Sequence, residues 1–177
     1  PEVAEFARPS FAAGRPVVEA ALDLMRRIHT DFKYLPQSTT ISTPVHEVMQ
    51  TRRGVCQDFA HVGIACLRSM GLAARYVSGY LRTHPPKGRP RLVGADASHA
   101  WFAVHVPWVG WIDFDPTNNV IPTVEHLTVA WGRDYGDVSP LNGVILGGGR
   151  QTLAVSVNVG LEGEEEEPAA PAEASTD

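Results

Sequence analysis

Cysteine is scarce in this chain. Only Cys56 and Cys66 occur in 177 residues, which excludes a disulfide framework. If both lie on one helix, ten residues separate them by about 15 Å of rise. A disulfide needs Cα atoms within about 7 Å, so they cannot bridge each other there. Two free thiols suit a reducing compartment, and a cytoplasmic location is the expectation. Long apolar runs are also lacking. No stretch approaches eighteen residues, so no membrane span is expected. The opening Pro1-Glu2-Val3-Ala4-Glu5 is neither basic nor followed by a long apolar core, so no secretory leader is expected. The first residue is not Met, and the expectation is the C-terminal part of a longer protein. A basic excess is lacking too: 15 basic residues face 20 acidic ones, for a formal net charge of -5. Seven of the acids fall in residues 162–177, which hold no base. Setting them aside leaves 13 acids against 15 bases in residues 1–161. That body is near neutral and shows no basic stripe, so no nucleic-acid partner is expected.

What is present is an ordinary globular composition with clear punctuation. Hydrophobic residues make up 44% and charged residues 20%. Val18, Ala21, Leu22, Met25, Ile28 and Phe32 fall at helical spacing, which predicts an amphipathic helix over residues 17–33. Thr43-Pro44 predicts a short helix through Met49, with a Thr cap and Pro at its first position. Gly54 breaks the chain, and residues 55–70 read as a buried helix that stops at Gly71. Residues 74–81 are rich in aromatic and β-branched residues and predict a strand. Residues 83–94 form a basic, Pro/Gly-rich loop. Strands over 100–106 and 111–114 flank a tight turn and predict an antiparallel hairpin. Further strands are expected over 127–131 and 151–159. Residues 162–177 are acidic, rich in Ala and Pro, and predict a disordered tail. Helices followed by antiparallel strands mean an α+β domain over residues 1–161.

The residues that carry chemistry sit at element ends. Cys56 starts the buried helix, where the positive end of the helix dipole favours a negative sulfur. Such a nucleophile needs an imidazole to handle protons and a third group to orient it. His99 opens one hairpin strand, and Asp115 closes the other. A short offset in register makes them neighbours. Asp113 lies on the same strand face as Asp115 and competes for the orienting role. His61 lies five residues past Cys56, about 140° around the helix, and is badly placed as its base. His105 shares strand parity with His99, but no further ligand spacing supports a metal, so none is expected. Cys66 reads as core. Asp58, in the first helical turn, complements the dipole. Trp101, Trp108 and Trp111 read as packing, with Trp101 a candidate wall of the substrate cleft.

Four blocks in order resemble the bacterial transglutaminase-like proteins. They are Gly54-Val55-Cys56-Gln57-Asp58-Phe59-Ala60, Leu72-Ala73-Ala74-Arg75-Tyr76-Val77-Ser78-Gly79-Tyr80, Ser98-His99-Ala100-Trp101 and Trp111-Ile112-Asp113-Phe114-Asp115-Pro116-Thr117-Asn118. Gly132-Arg133-Asp134-Tyr135 and Asp137-Val138-Ser139-Pro140 also match, and the resemblance covers roughly residues 30–150. It implies a papain-like transglutaminase core with a catalytic Cys56, His99 and Asp115, the Asp-Pro-Thr block favouring Asp115 over Asp113. It implies amide-bond chemistry on a protein or peptide substrate through a thioester, with no cofactor. Hydrolysis is placed slightly ahead of transamidation, and a silent binding module is the rival of another class. No match to the calcium loops of animal transglutaminases is present. The Cys56 backbone N–H is the natural first oxyanion donor, with Tyr34 and Gln57 as candidates for the second.

Overall fold

The computed structural model describes residues 1–82 and 98–139, with the isolated residues 143, 147, 157 and 159. The loop expected over 83–94, the strand over 151–159 and the tail over 162–177 lie outside the described residues, apart from Val157 and Val159. The described elements are α1 (Glu2–Ala7), α2 (Val17–Asp31), β1 (Lys33–Tyr34), α3 (Val45–Thr51), β2 (Arg53–Gly54), α4 (Cys56–Ser69), β3 (Ala74–Leu81), β4 (Ser98–Val106), β5 (Gly110–Phe114), β6 (His126–Gly132) and α5 (Tyr135–Val138). A 3-10 turn, Arg8–Ser10, follows α1. The α+β reading is right: helices come first and then an antiparallel sheet.

That sheet has four strands in the order β5-β4-β3-β6. Alternation along β4 sends Ala100, Phe102 and Val104 to one face and Trp101 and Ala103 to the other. The first face packs against α4, whose Phe59, Val62, Ile64 and Leu67 are buried in the same core. Helices α1, α2 and α3 surround α4, so the Cys-bearing helix is enclosed. The second face forms a small separate cluster of Val77, Trp101 and Ala103. Met70 ends α4, and Gly71 adopts a left-handed φ of +76°, letting Leu72 N–H bond back to the Leu67 carbonyl at 3.0 Å.

The sheet register decides what the strand ends bring together. Phe102 pairs with Phe114 and His105 with Trp111 across the β4–β5 hairpin. The pairing therefore runs two residues short of placing His99 directly opposite Asp115, and they meet on the diagonal. Two expectations change, and one pairing is new. The helix α3 begins at Val45, with Pro44 as its cap residue, and no side chain caps it. Thr43 instead accepts a hydrogen bond from Thr40 N–H at 2.8 Å. The strand expected from residue 100 starts at Ser98, so His99 lies within it. The pair β1 and β2 is parallel and matches Tyr34 to Gly54, a contact that no residue pattern announced.

Candidate active site

Cys56 is the first residue of α4. Its backbone N–H has no intrahelical acceptor and points out of the helix end. The end is held by Asp58, whose Oδ2 accepts from Val55 N–H at 2.8 Å and from the Thr39 hydroxyl at 2.6 Å. Asp58 is thus a buried anchor that ties the loop after β1 to the helix. Gly54 is needed beside it, because a Cβ there would stand 2.7 Å from Asp58 Oδ2. The Gly-Val-Cys-Gln-Asp order fits this local geometry: Gly leaves room, Asp fastens the turn, and Cys is presented at the end.

His99 lies on β4 with its Nε2 2.8 Å from Asp115 Oδ2. That leaves Nδ1 for the sulfur, and Cys56 and His99 line the same cleft. Burial alone would push the His99 pKa down. The hydrogen bond and charge of Asp115, joined by Cys56, override burial and raise it to about 9. Burial would likewise push Asp115 up, but the hydrogen bond and charge of His99, with Asn118 and His126, lower it to about 2. The arrangement at neutral pH is an imidazolium held by a carboxylate, beside the Cys56 sulfur at a helix N-terminus.

Asp115 is fully buried and heavily bonded. Its Oδ1 accepts from Thr117 N–H at 2.9 Å and Asn118 N–H at 3.2 Å. Its Oδ2 accepts from Asn118 Nδ2 at 2.7 Å and His126 Nε2 at 3.0 Å besides His99. An isolated bridge between Asp115 and Val120 closes the loop that returns Asn118 to this carboxylate. Asp113 does something else: its Oδ2 accepts from Trp101 Nε1 at 2.9 Å. The two acids on one strand face therefore have different partners.

The remaining candidates separate. The cleft beside Cys56 is lined by Gln57, Tyr76, Ser78, Ser98, His99, Ala100 and Tyr135. Gln57 belongs to it, and its amide also donates to the Ile41 carbonyl at 3.4 Å. Tyr34 is half exposed, and its hydroxyl pKa is raised by burial and by the neighbouring Cys56. It keeps its proton and is within electrostatic reach of the sulfur. Trp101 does not line the described cleft. It is fully buried behind His99, with ring centroids 5.9 Å apart, and its indole N–H is used on Asp113. The role of cleft wall expected for it does not fit this position. His61 is committed elsewhere: its Nε2 accepts from Tyr135 N–H at 3.2 Å and its ring lies 4.9 Å from Tyr76, while burial lowers its pKa. His105 rests against Trp111 rather than near His99. Cys66 is buried, and burial pushes its thiol up to about 12. Both cysteines are unpaired.

Two neighbours of Asp115, Asn118 and His126, escaped the reading of the sequence. Asn118 lies in the quoted Asp-Pro-Thr-Asn run, which is a signal of sorts. His126 has none, because it reaches Asp115 from a different strand. His99, Asp115 and His126 are the group among the described residues whose donor atoms lie close enough to hold a metal ion, all within 4.8 Å of one another. Each of these atoms already takes part in a hydrogen bond of the network just described.

Comparison with known proteins agrees with this geometry. The family signature described as the transglutaminase-like superfamily matches residues 4–116, which include Cys56, His99 and Asp115. An uncharacterized protein of Mycobacterium tuberculosis is 51% identical over 162 residues, covering 89% of this chain and 52% of the relative. The chain spans about half the length of the curated relatives it matches most fully. Among solved structures, a candidate cysteine protease from Cytophaga hutchinsonii superposes with a TM-score of 0.64 at 29% identity, over 78% of this chain and 44% of that one. The periplasmic domain of TgpA from Pseudomonas aeruginosa, bound to ethylmercury, superposes at 0.52 with 26% identity, over 68% of this chain and 45% of that one. No helix among the described residues is long and apolar enough to cross a membrane.

Proposed function

Because this chain belongs to the transglutaminase-like superfamily, we propose that it breaks amide bonds through a thioester on Cys56, with a peptide or protein as substrate and water as the usual acceptor. The observation that carries the reading is one line of groups: Cys56 and His99 on the same cleft, and His99 Nε2 2.8 Å from Asp115. With its proton passed to His99, the Cys56 sulfur adds to the carbonyl carbon, and the C=O electron pair moves onto oxygen. That oxyanion meets the Cys56 backbone N–H, with Tyr34 or Gln57 as second donor. His99 gives its proton to the departing amine as the C–N bond breaks. Water then adds to the thioester, His99 takes its proton, and the C–S bond breaks. Asp115 keeps the His99 ring in place and stabilises its imidazolium.

Hydrolysis is placed ahead of transamidation on the likeness to a candidate cysteine protease at 29% identity. The two unpaired thiols favour a reducing compartment, here the cytoplasm. The catalytic unit is taken as residues 1–161. The test uses the purified chain with glutamine-containing peptides and a labelled primary amine. New amino termini or released ammonia, without amine incorporation and lost in Cys56→Ala, is the expected result. Amine incorporation would replace the hydrolase reading with transamidation. Peptide binding with an unreactive Cys56 would leave a binding module.

A further inference from the structure

One oxygen of Asp115 serves three side-chain donors. His99 Nε2, His126 Nε2 and Asn118 Nδ2 lie 2.8, 3.0 and 2.7 Å from Oδ2. Asn118 comes from the loop next to Asp115. His126 does not: it begins β6, and two strands, β3 and β4, separate β6 from β5. A side chain reaching across two strands to a fully buried carboxylate needs a clear path. Gly79 provides it. It pairs with His99 in the β3–β4 register, at the point where the β3–β6 register shifts. A Cβ on Gly79 would run into the Leu127 carbonyl oxygen and would stand 2.8 Å from the Trp101 ring. The His126 ring then packs edge-on to Trp101, with centroids 5.3 Å apart, and its side chain is 4% exposed.

The proton on His126 is placed by its other nitrogen. Nδ1 accepts from Thr123 N–H at 3.4 Å, so Nε2 carries the hydrogen and donates to Asp115. His126 is therefore a donor aimed at the oxygen that His99 uses, with the two rings 6.1 Å apart.

We propose that His126 is a positioning residue of the active site, which holds Asp115 from beside His99 and limits how strongly that carboxylate acts on the His99 ring. The inference rests on the Cys56–His99–Asp115 reading and adds a fourth member to it. Each donor on a carboxylate oxygen draws off part of its negative charge. With His126 in place, His99 shares Oδ2 and its imidazolium is held less tightly than by a free carboxylate. Without it, Asp115 bears more strongly on His99.

The test follows the His99 ring by NMR titration in the full chain, with the alkylation rate of Cys56 by iodoacetamide measured alongside. Wild type is expected to titrate at about 9. His126→Phe keeps a buried ring but no donor, and should move the His99 titration up by about one pH unit, a tenfold change in its proton equilibrium. His126→Gln keeps an N–H donor and should return it to within a few tenths. An unmoved His99 titration in folded His126→Phe overturns the proposal. If that variant does not fold, wild type still decides: ring nitrogen shifts must show His126 protonated on Nε2 and bare on Nδ1, and the opposite tautomer overturns it. Loss of Cys56 reactivity on chelation, restored by zinc, also overturns it, because the three groups would then be a metal site. The outcomes separate the two claims. If wild-type Cys56 is no faster than a free thiol, the triad reading itself fails. If Cys56 is fast and slows in His99→Ala while His126→Phe leaves the His99 titration in place, only the role of His126 falls.

Discussion

Asp113 and Asp115 lie two residues apart and point to the same side of β5 and its extension, yet they hold different things. Asp115 holds His99 and Asp113 holds Trp101. Asp115→Asn keeps the shape but offers His99 the wrong hydrogen-bond partner, and should slow Cys56 acylation by about 10²–10⁴-fold, the range seen when such an orienting acid is replaced. Asp113→Asn keeps an acceptor for the indole and should change acylation by less than about fivefold, in keeping with a neutral contact that acts on packing. Stopped-flow acylation with an activated ester checks both. The sequence left these two acids open on parity alone, and only the Asp-Pro-Thr context favoured Asp115. What decided between them is register, which places Asp113 opposite Ala103 and lets the indole of Trp101 reach it diagonally. His126 was illegible for the same reason. Its partner lies eleven positions away along the chain and two strands away across the sheet.

At the scale of elements, the start of α4 presents the nucleophile, so its fastening matters more than its length. Asp58 joins Val55 N–H and Thr39 to that start. Asp58→Ala should destabilise the fold by about 1–2 kcal/mol through loss of the helix-end bond and the orphaned donors. It should also slow Cys56 alkylation, because the helix end loosens. Urea unfolding and alkylation rates report the two effects separately. Gly79 is the corresponding feature of the sheet. Gly79→Ala should destabilise by about 1–3 kcal/mol or more, since neither the Leu127 carbonyl nor the buried Trp101 can yield easily. Elements with strong periodicity were legible: β3 spans the residues expected, and α4 stops just before the expected Gly71. The two-residue strands β1 and β2 and the six-residue α1 were not. Pairs that short carry no periodicity, and tertiary contacts decide them.

For the whole molecule, the site links stability to pH. The His99 pKa is raised from 6.5 to about 9, so its contribution is fully present below 6.5 and is lost as pH rises through 9. The Asp115 pKa is lowered from 3.8 to about 2, so its contribution is present above 3.8 and is lost as pH falls through 2. The melting temperature should therefore be highest between about pH 4 and 6.5, and should decline toward pH 9. His99→Ala should abolish the alkaline decline, and calorimetry across that range checks it. The chain matches about half the length of its fuller relatives, yet the contacts described for the site lie between residues 34 and 135. The central claim is that Cys56 is a nucleophile activated by His99. Its most direct test is the rate of Cys56 alkylation by iodoacetamide at neutral pH, with the modified residue mapped by mass spectrometry. The account predicts labelling of Cys56 well above the rate of a free thiol, no labelling of buried Cys66, and a fall to the free-thiol rate in His99→Ala. A wild-type Cys56 that reacts at the free-thiol rate, unchanged by His99→Ala, would contradict it.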